Sequence, residues 1–98
     1  MTAFRLSAEA DHDLEGIFLI GLDLFGYEQA RRYNQDLVAT FSRLASYPEM
    51  ARLREELSGA VRALPYKAHV IVYEVDDGGQ VVILRVRHSH EDWLSNAP

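Results

Sequence analysis

Residues 68–87, AHVIVYEVDDGGQVVILRVR, predict a β-hairpin at the centre of the fold. Both arms are rich in β-branched and apolar residues, which favour strands. The connection at 76–79 ends in two glycines, which can adopt the positive φ angles of a tight turn. Apolar residues follow one another without alternation at 70–72 and 81–84, which is typical of strands covered on both faces.

The chain before this hairpin predicts two more strands. One covers 61–64 and stops at Pro65, because proline cannot donate a hydrogen bond to a strand ladder. The polar residues 48–59 in front of it predict a loop or a short helical turn. The other strand opens the chain, where Phe4 and Leu6 alternate with polar residues on one face.

Two helices are predicted between the first strand and the polar loop. Ser7 suits the N-cap of the first helix, and Gly26 ends it. The second helix covers about 27–47 and ends before Pro48. Because so few residues separate the helices, they form an antiparallel hairpin. The predicted core stripes are Leu14, Ile17, Phe18, Gly21, Leu22 and Phe25 on the first helix, and Ala30, Tyr33, Leu37, Phe41 and Leu44 on the second.

The resulting order β-α-α-β-β-β predicts an α+β fold, with the helical hairpin on one face of a small, twisted, mostly antiparallel sheet. No helix remains to cover the other face, although its strands are apolar on both sides. Leu19, Ile20 and Leu24 lie off the core stripe of the first helix and form a second apolar strip. Both features predict a surface for a partner protein.

Composition limits the classes of function. The 98 residues predict a single domain, 1–98, in which 88–98 form a polar C-terminal tail. The hydrophobic content of 48% argues against disorder, and the lack of cysteine excludes disulfides and thiolate metal sites. A net charge of −5 disfavours a general nucleic-acid binder. Without a signal peptide or a membrane-length apolar run, we expect a cytoplasmic protein with no membrane contact. The histidine spacing recommends no metal, and no cofactor is expected.

Several motifs, in this order and within this length, resemble the ParE branch of the RelE/ParE superfamily over essentially the whole chain. They are FRLSAEADHDLEGI, GYEQARRYNQDL, FSRLASYPEM, LREELSGAVRALPYKAHVIVYEV and VVILRVRHSHEDW. The resemblance implies a toxin that acts by binding and is held inactive by a ParD-like antitoxin, whose C-terminal segment wraps the toxin. It also implies two toxins with two antitoxins, DNA gyrase as the target, and DNA contact only through the antitoxin when the complex represses its operon.

The same superfamily supplies an alternative function. RelE-like relatives share the fold and cleave messenger RNA on the ribosome, which requires groups that move protons and stabilise the phosphate. Those relatives use several lysines and arginines, often with a tyrosine or histidine near the C-terminus. This chain has a single lysine, Lys67, and ends in His88, His90 and Trp93 instead. We therefore expect no catalytic residues and no RNase activity.

Two groups of residues are candidates for binding. Arg85 and Arg87 share a face of the last strand and form either a basic patch or a pair balanced by Glu74. Trp93 either docks on the sheet or meets a partner. Tyr73 also suits a packed position in the sheet, as His88 does. The predicted target contacts are Arg85, Arg87, His90, Asp92, Trp93, Leu94 and Ser95, and the predicted antitoxin contacts are Leu19, Ile20, Leu24, Arg62, Tyr73 and Arg87.

Overall fold

The computed structural model describes residues 3–54 and 60–89. Its elements are β1 (Phe4–Leu6), α1 (Ala8–Phe25), α2 (Tyr27–Ser46), β2 (Val61–Tyr66), β3 (His69–Val75) and β4 (Val81–His88). The strands form one sheet in the order β1-β4-β3-β2, in which β1 runs parallel to β4 and the other pairs are antiparallel. The predicted α+β fold and element order are confirmed. His88, placed in the predicted tail, is the last residue of β4.

The helices begin and end where the sequence predicts. The Ser7 side chain accepts a hydrogen bond of 2.9 Å from the Ala10 N–H and caps α1. Gly26 separates the helices with a φ of 88°, which is strained for any residue with a side chain. Gly21 faces Ala30, and a Cβ at position 21 would lie 3.3 Å from the Ala30 Cβ. The missing side chain at Gly21 therefore allows the two helices to approach closely.

The main core lies between the helical hairpin and the sheet. Leu14, Leu37 and Phe41 pack there against Ile71 and Ile83. Burial along α1 falls towards its C-terminus, however, because Leu22 is 39% exposed and Phe25 is 61% exposed. The predicted core stripe of α1 is therefore wrong for its last turns. The last turns of α1 therefore lie beyond the part of the helix whose side chains are fully buried.

The face of the sheet away from the helices also contains buried apolar residues. Val61, Ala63, Val70 and Val72 form a second buried cluster there, and none of them is more than 6% exposed. The expectation that these strands offer an open apolar face to a partner is therefore wrong at these four positions.

The start of α1 protects the edge of β4 where β1 ends. Because β1 pairs only with 81–83, the next polar backbone groups of β4 need other partners. The Ser7 hydroxyl donates to the Leu84 carbonyl at 2.7 Å, and the Val86 N–H donates to the Asp13 carboxylate at 3.0 Å. On its other side, β4 has a β-bulge against β3, because Val72 lies opposite Arg85 and Tyr73 lies opposite Ile83.

Strand β2 is longer than predicted, because it continues through Pro65 to Tyr66. It is an edge strand, where the N–H that proline lacks is not needed by a neighbour. Leu53 forms an isolated bridge with Arg62 beside it. No helix in the described part of the chain is long and apolar enough to cross a membrane.

Candidate functional site

An open groove of about 700 Å³ lies between the helical hairpin and one end of the sheet. Ile17, Ile20 and Leu24 of α1 line one wall, and Tyr33 of α2 lies beside them. The other wall comes from the ends of the strands and the turn between β2 and β3, which contributes Lys67. The groove thus joins parts of the chain that are distant in sequence.

The helical wall of the groove is apolar and exposed. Ile20 is 63% exposed, Leu24 is 65% exposed, and Phe25 is 61% exposed. Gly16 also lines the groove, and a Cβ added to it would meet no atom within 4 Å. Exposed apolar side chains gathered along one groove are typical of a protein-binding surface. Leu19 is 54% exposed as well, but it does not line the groove.

The strand wall of the groove is polar. The Tyr33 hydroxyl lies 2.6 Å from Nδ1 of His69, and the His69 ring contacts the His88 ring with centroids 5.5 Å apart. Burial, together with the neighbouring Tyr66, raises the pKa of Tyr33 above its ordinary value. Lys67 lies above the Tyr33 and Tyr66 rings. The groove therefore combines apolar side chains with hydrogen-bonding and cationic groups.

Arg85 forms an ion pair within the chain. Its guanidinium donates two hydrogen bonds to the Asp13 carboxylate, at 2.8 and 3.0 Å. The Arg85 side chain is 25% exposed and the Asp13 side chain 12% exposed. The predicted role of Arg85 in target binding stays a prediction, and Asp13 is an ion-pair partner that the sequence did not suggest. Arg87 is half-buried opposite Val70, and its predicted roles are unaffected.

Tyr73 and Arg62 fasten the segment after α2 to the sheet. Tyr73 is fully buried; its hydroxyl donates to the Pro48 carbonyl at 2.7 Å and accepts from the Ala51 N–H at 3.3 Å. Arg62 donates to the Ala51 carbonyl at 2.7 Å. The predicted antitoxin contact at Tyr73 is therefore wrong, since a side chain with no exposed surface cannot meet a partner. The guanidinium of Arg62 is engaged within its own chain.

Among the remaining candidates, Ile20 and Leu24 lie together in the groove, and Leu19 lies outside it. His90, Asp92, Trp93, Leu94 and Ser95 lie outside the described residues.

Sequence reasoning missed the strand wall of the groove. The sequence did not predict that Lys67 lies in a turn, because this turn contains neither glycine nor asparagine. The pairing of His69 with Tyr33 joins residues 36 positions apart, and no local pattern signals it. Within 3–54 and 60–89, no group of three histidine or acidic side chains gathers as a metal site would require.

Comparison with known proteins matches the sequence of this chain to one protein family. A family model described as "ParE toxin of type II toxin-antitoxin system, parDE" matches residues 4–93. The chain is 36% identical over 88 residues to Toxin ParE1 of Caulobacter vibrioides, covering 90% of each protein. It is 30% identical over 95 residues to Toxin ParE of Escherichia coli, covering 97% of this chain and 92% of that protein.

A solved structure agrees with these sequence matches. The fold is similar to a chain of the chromosomal ParDE TA system from P. aeruginosa, with a TM-score of 0.77 and 26% sequence identity. The similarity covers 90% of this chain and 96% of that one.

Proposed function

Because the chain belongs to the ParE toxin family of type II toxin–antitoxin systems, we propose that it is a growth-inhibiting toxin whose groove receives a ParD-like antitoxin. The exposed apolar wall of the groove is the observation that carries this proposal. Ile20, Leu24 and Phe25 are each more than half exposed, and contact of these apolar side chains with water is unfavourable. An antitoxin with an amphipathic segment would cover them.

The antitoxin proposal is tested by introducing a charge into the groove. Ile20→Glu places a carboxylate on the apolar wall, where binding would bury it at a cost of about 3 kcal/mol, or roughly a hundredfold in affinity. Ile20 is 63% exposed, so the free chain should keep its fold. We expect cells that produce this variant to stop growing even when the product of the adjacent open reading frame is present.

Leu19→Glu is the matched control, because Leu19 is 54% exposed on the same helix and lies outside the groove. This variant should be toxic alone and rescued by the adjacent product, as the unchanged chain should be. Rescue of Ile20→Glu as complete as that of Leu19→Glu would contradict placement of the antitoxin in the groove.

We further propose that the toxin acts by binding DNA gyrase and not by cutting RNA. Membership of the ParE toxin family supports the proposal that DNA gyrase is the target. The scarcity of lysine in the chain and the internal ion pair of Arg85 support the non-catalytic action. The proposed target contacts are Arg85, Arg87, His90, Asp92, Trp93, Leu94 and Ser95.

A supercoiling assay and a translation reaction distinguish the two actions. We expect the purified chain to inhibit gyrase supercoiling and to leave ribosome-bound messenger RNA intact. Site-specific cuts in the message that disappear with Arg87→Ala would favour the RelE-like RNase instead. The proposed assembly has two toxins and two antitoxins, with DNA bound through the antitoxin, and the mass of the complex in solution tests that stoichiometry.

A further inference from the structure

We propose that Lys67 is a charge-selective contact for the antitoxin and pairs with a carboxylate on the segment that occupies the groove. The inference rests on the proposed function, because Lys67 lines the same groove. It adds the chemistry of the partner, which is an amphipathic segment with apolar side chains for Ile20 and Leu24 and an acid beside them.

The backbone of Lys67 is strained. Its φ is 51°, and it is the one residue other than glycine with a positive φ among those described. Lys67 and Ala68 form the two-residue turn between Tyr66 and His69, which pair across β2 and β3. A left-handed conformation costs a residue with a side chain about 1 kcal/mol or more. Glycine or asparagine would suit the turn better, so its geometry does not explain a lysine here.

Two aromatic rings hold the ammonium group in place. Nζ of Lys67 lies 5.8 Å from the centroid of the Tyr33 ring and 5.5 Å from that of the Tyr66 ring. The two rings are themselves 6.0 Å apart. Each cation–π contact of this kind contributes about 0.5–1 kcal/mol at an exposed site. A cation that is already oriented loses less side-chain entropy when it binds a partner.

The charge around the groove favours an acidic group. Among the described residues that line the groove, Asp13 is acidic and Lys67 is a lysine. Asp13 forms an ion pair with Arg85 at 2.8 Å. Across 3–54 and 60–89, no carboxylate forms an ion pair with Lys67. The groove thus keeps a positive charge in a chain whose net charge is −5. A partner segment with an acid at this point would be selected over one without it.

A nucleic acid is a weaker candidate for the same charge. Binding to phosphates requires several clustered cations, and the helical wall across the groove from Lys67 is apolar. An acidic protein segment satisfies both the cation and the apolar wall.

The test compares the unchanged chain with Lys67→Gly, Lys67→Arg and Lys67→Glu. The dissociation constant of each for the product of the adjacent open reading frame is measured at low and high salt. We expect Lys67→Gly to bind about tenfold more weakly, with a shallower salt dependence, and Lys67→Glu to bind more weakly still. Lys67→Arg should bind nearly as the unchanged chain does, because it keeps the charge.

Lys67→Gly also controls for folding, since glycine relieves the backbone strain and should leave thermal stability equal or higher. Equal affinities for the Gly, Glu and unchanged chains would overturn the inference while leaving the proposed function intact. Loss of RNA or DNA retention in Lys67→Gly, with antitoxin binding unaltered, would also overturn it and assign the charge to a nucleic acid. If the unchanged chain did not bind the product at all, the proposed function itself would fail.

Discussion

Tyr73 shows how one side chain can join a distant segment to the sheet. The hydroxyl contacts Pro48 and Ala51, which are 25 and 22 positions away in the sequence. Tyrosine is common both in cores and at protein interfaces, because it has an apolar ring and a polar end. The sequence alone could not distinguish these uses, since the partners of the hydroxyl depend on the tertiary fold. Because Tyr73 is fully buried, it belongs to the core and not to an interface.

We expect Tyr73→Phe to lower the free energy of unfolding by about 1–3 kcal/mol, because the Pro48 carbonyl and the Ala51 N–H would lose their partner. Burial also raises the pKa of Tyr73 above its usual value near 10. Above about pH 10 the unfolded chain therefore loses this proton first, and stability falls as the pH rises.

Urea unfolding at neutral and alkaline pH measures both effects. The alkaline loss should be smaller in Tyr73→Phe, with the remainder attributable in part to Tyr33, whose pKa is also raised. A stability equal to that of the unchanged chain at neutral pH would show that the two hydrogen bonds contribute nothing.

Arg85 illustrates a second limit of prediction at the residue scale. Alternation along β4 places Arg85 and Arg87 on one face, which predicts either a basic patch or a pair balanced by Glu74. The acid that binds Arg85 is Asp13, which is 72 positions away on α1. The carboxylate also accepts from the Val86 N–H at 3.0 Å, so one side chain satisfies both the strand edge and the arginine. Such a contact depends on which element covers the edge, and local patterns do not contain that information.

Among the elements, those with strong local signals were predicted well. The β3–β4 hairpin has glycines in its turn, and the Asp76 side chain accepts from the Gly78 and Gln80 N–H groups. The β2–β3 hairpin has only Lys67 and Ala68 in its turn, and no turn signal distinguished it. The proline inside β2 made the predicted strand end too early, because only the position of β2 at the edge makes the proline acceptable.

The glycines of α1 offer a matched pair of substitutions. Gly16→Ala should raise the free energy of unfolding by about 1 kcal/mol, because alanine favours a helix and the added Cβ meets nothing within 4 Å. Gly21→Ala gains the same helix propensity but places its Cβ 3.3 Å from that of Ala30. The second variant should therefore be less stable than the first, since α1 and α2 would have to move apart. Urea unfolding of both tests this, and equal stabilisation would show that the helix crossing is not tight.

At the scale of the whole molecule, the order of elements predicted the fold but not the groove. Helix and strand patterns are local, and short connections restrict the possible topologies to a few. The groove instead depends on how far the helical hairpin extends along the sheet, which follows from packing. Ile20 and Leu24 were predicted correctly as off-core apolar residues, but the opposing wall with Lys67 and His69 was not predicted.

We expect removal of residues 95–98 to leave folding and antitoxin binding nearly unchanged and to alter toxicity. These residues are Ser-Asn-Ala-Pro, which offer little apolar surface to a core, and Ser95 is one of the proposed target contacts. Growth after induction is compared for the full and shortened chains at equal protein levels, with and without the antitoxin. Identical growth arrest would show that the target is bound elsewhere.

The parallel pairing of β1 with β4 has a consequence for the timing of folding during synthesis. Of the described strands, the first to be synthesised pairs with the last, and the Ser7 hydroxyl reaches the Leu84 carbonyl across 77 positions. Contacts so distant in sequence form late and slow the folding of the chain. A nascent chain therefore lacks both the closed sheet and the strand wall of the groove until β4 has emerged. An antitoxin that needed both walls would therefore bind only after β4 had been synthesised.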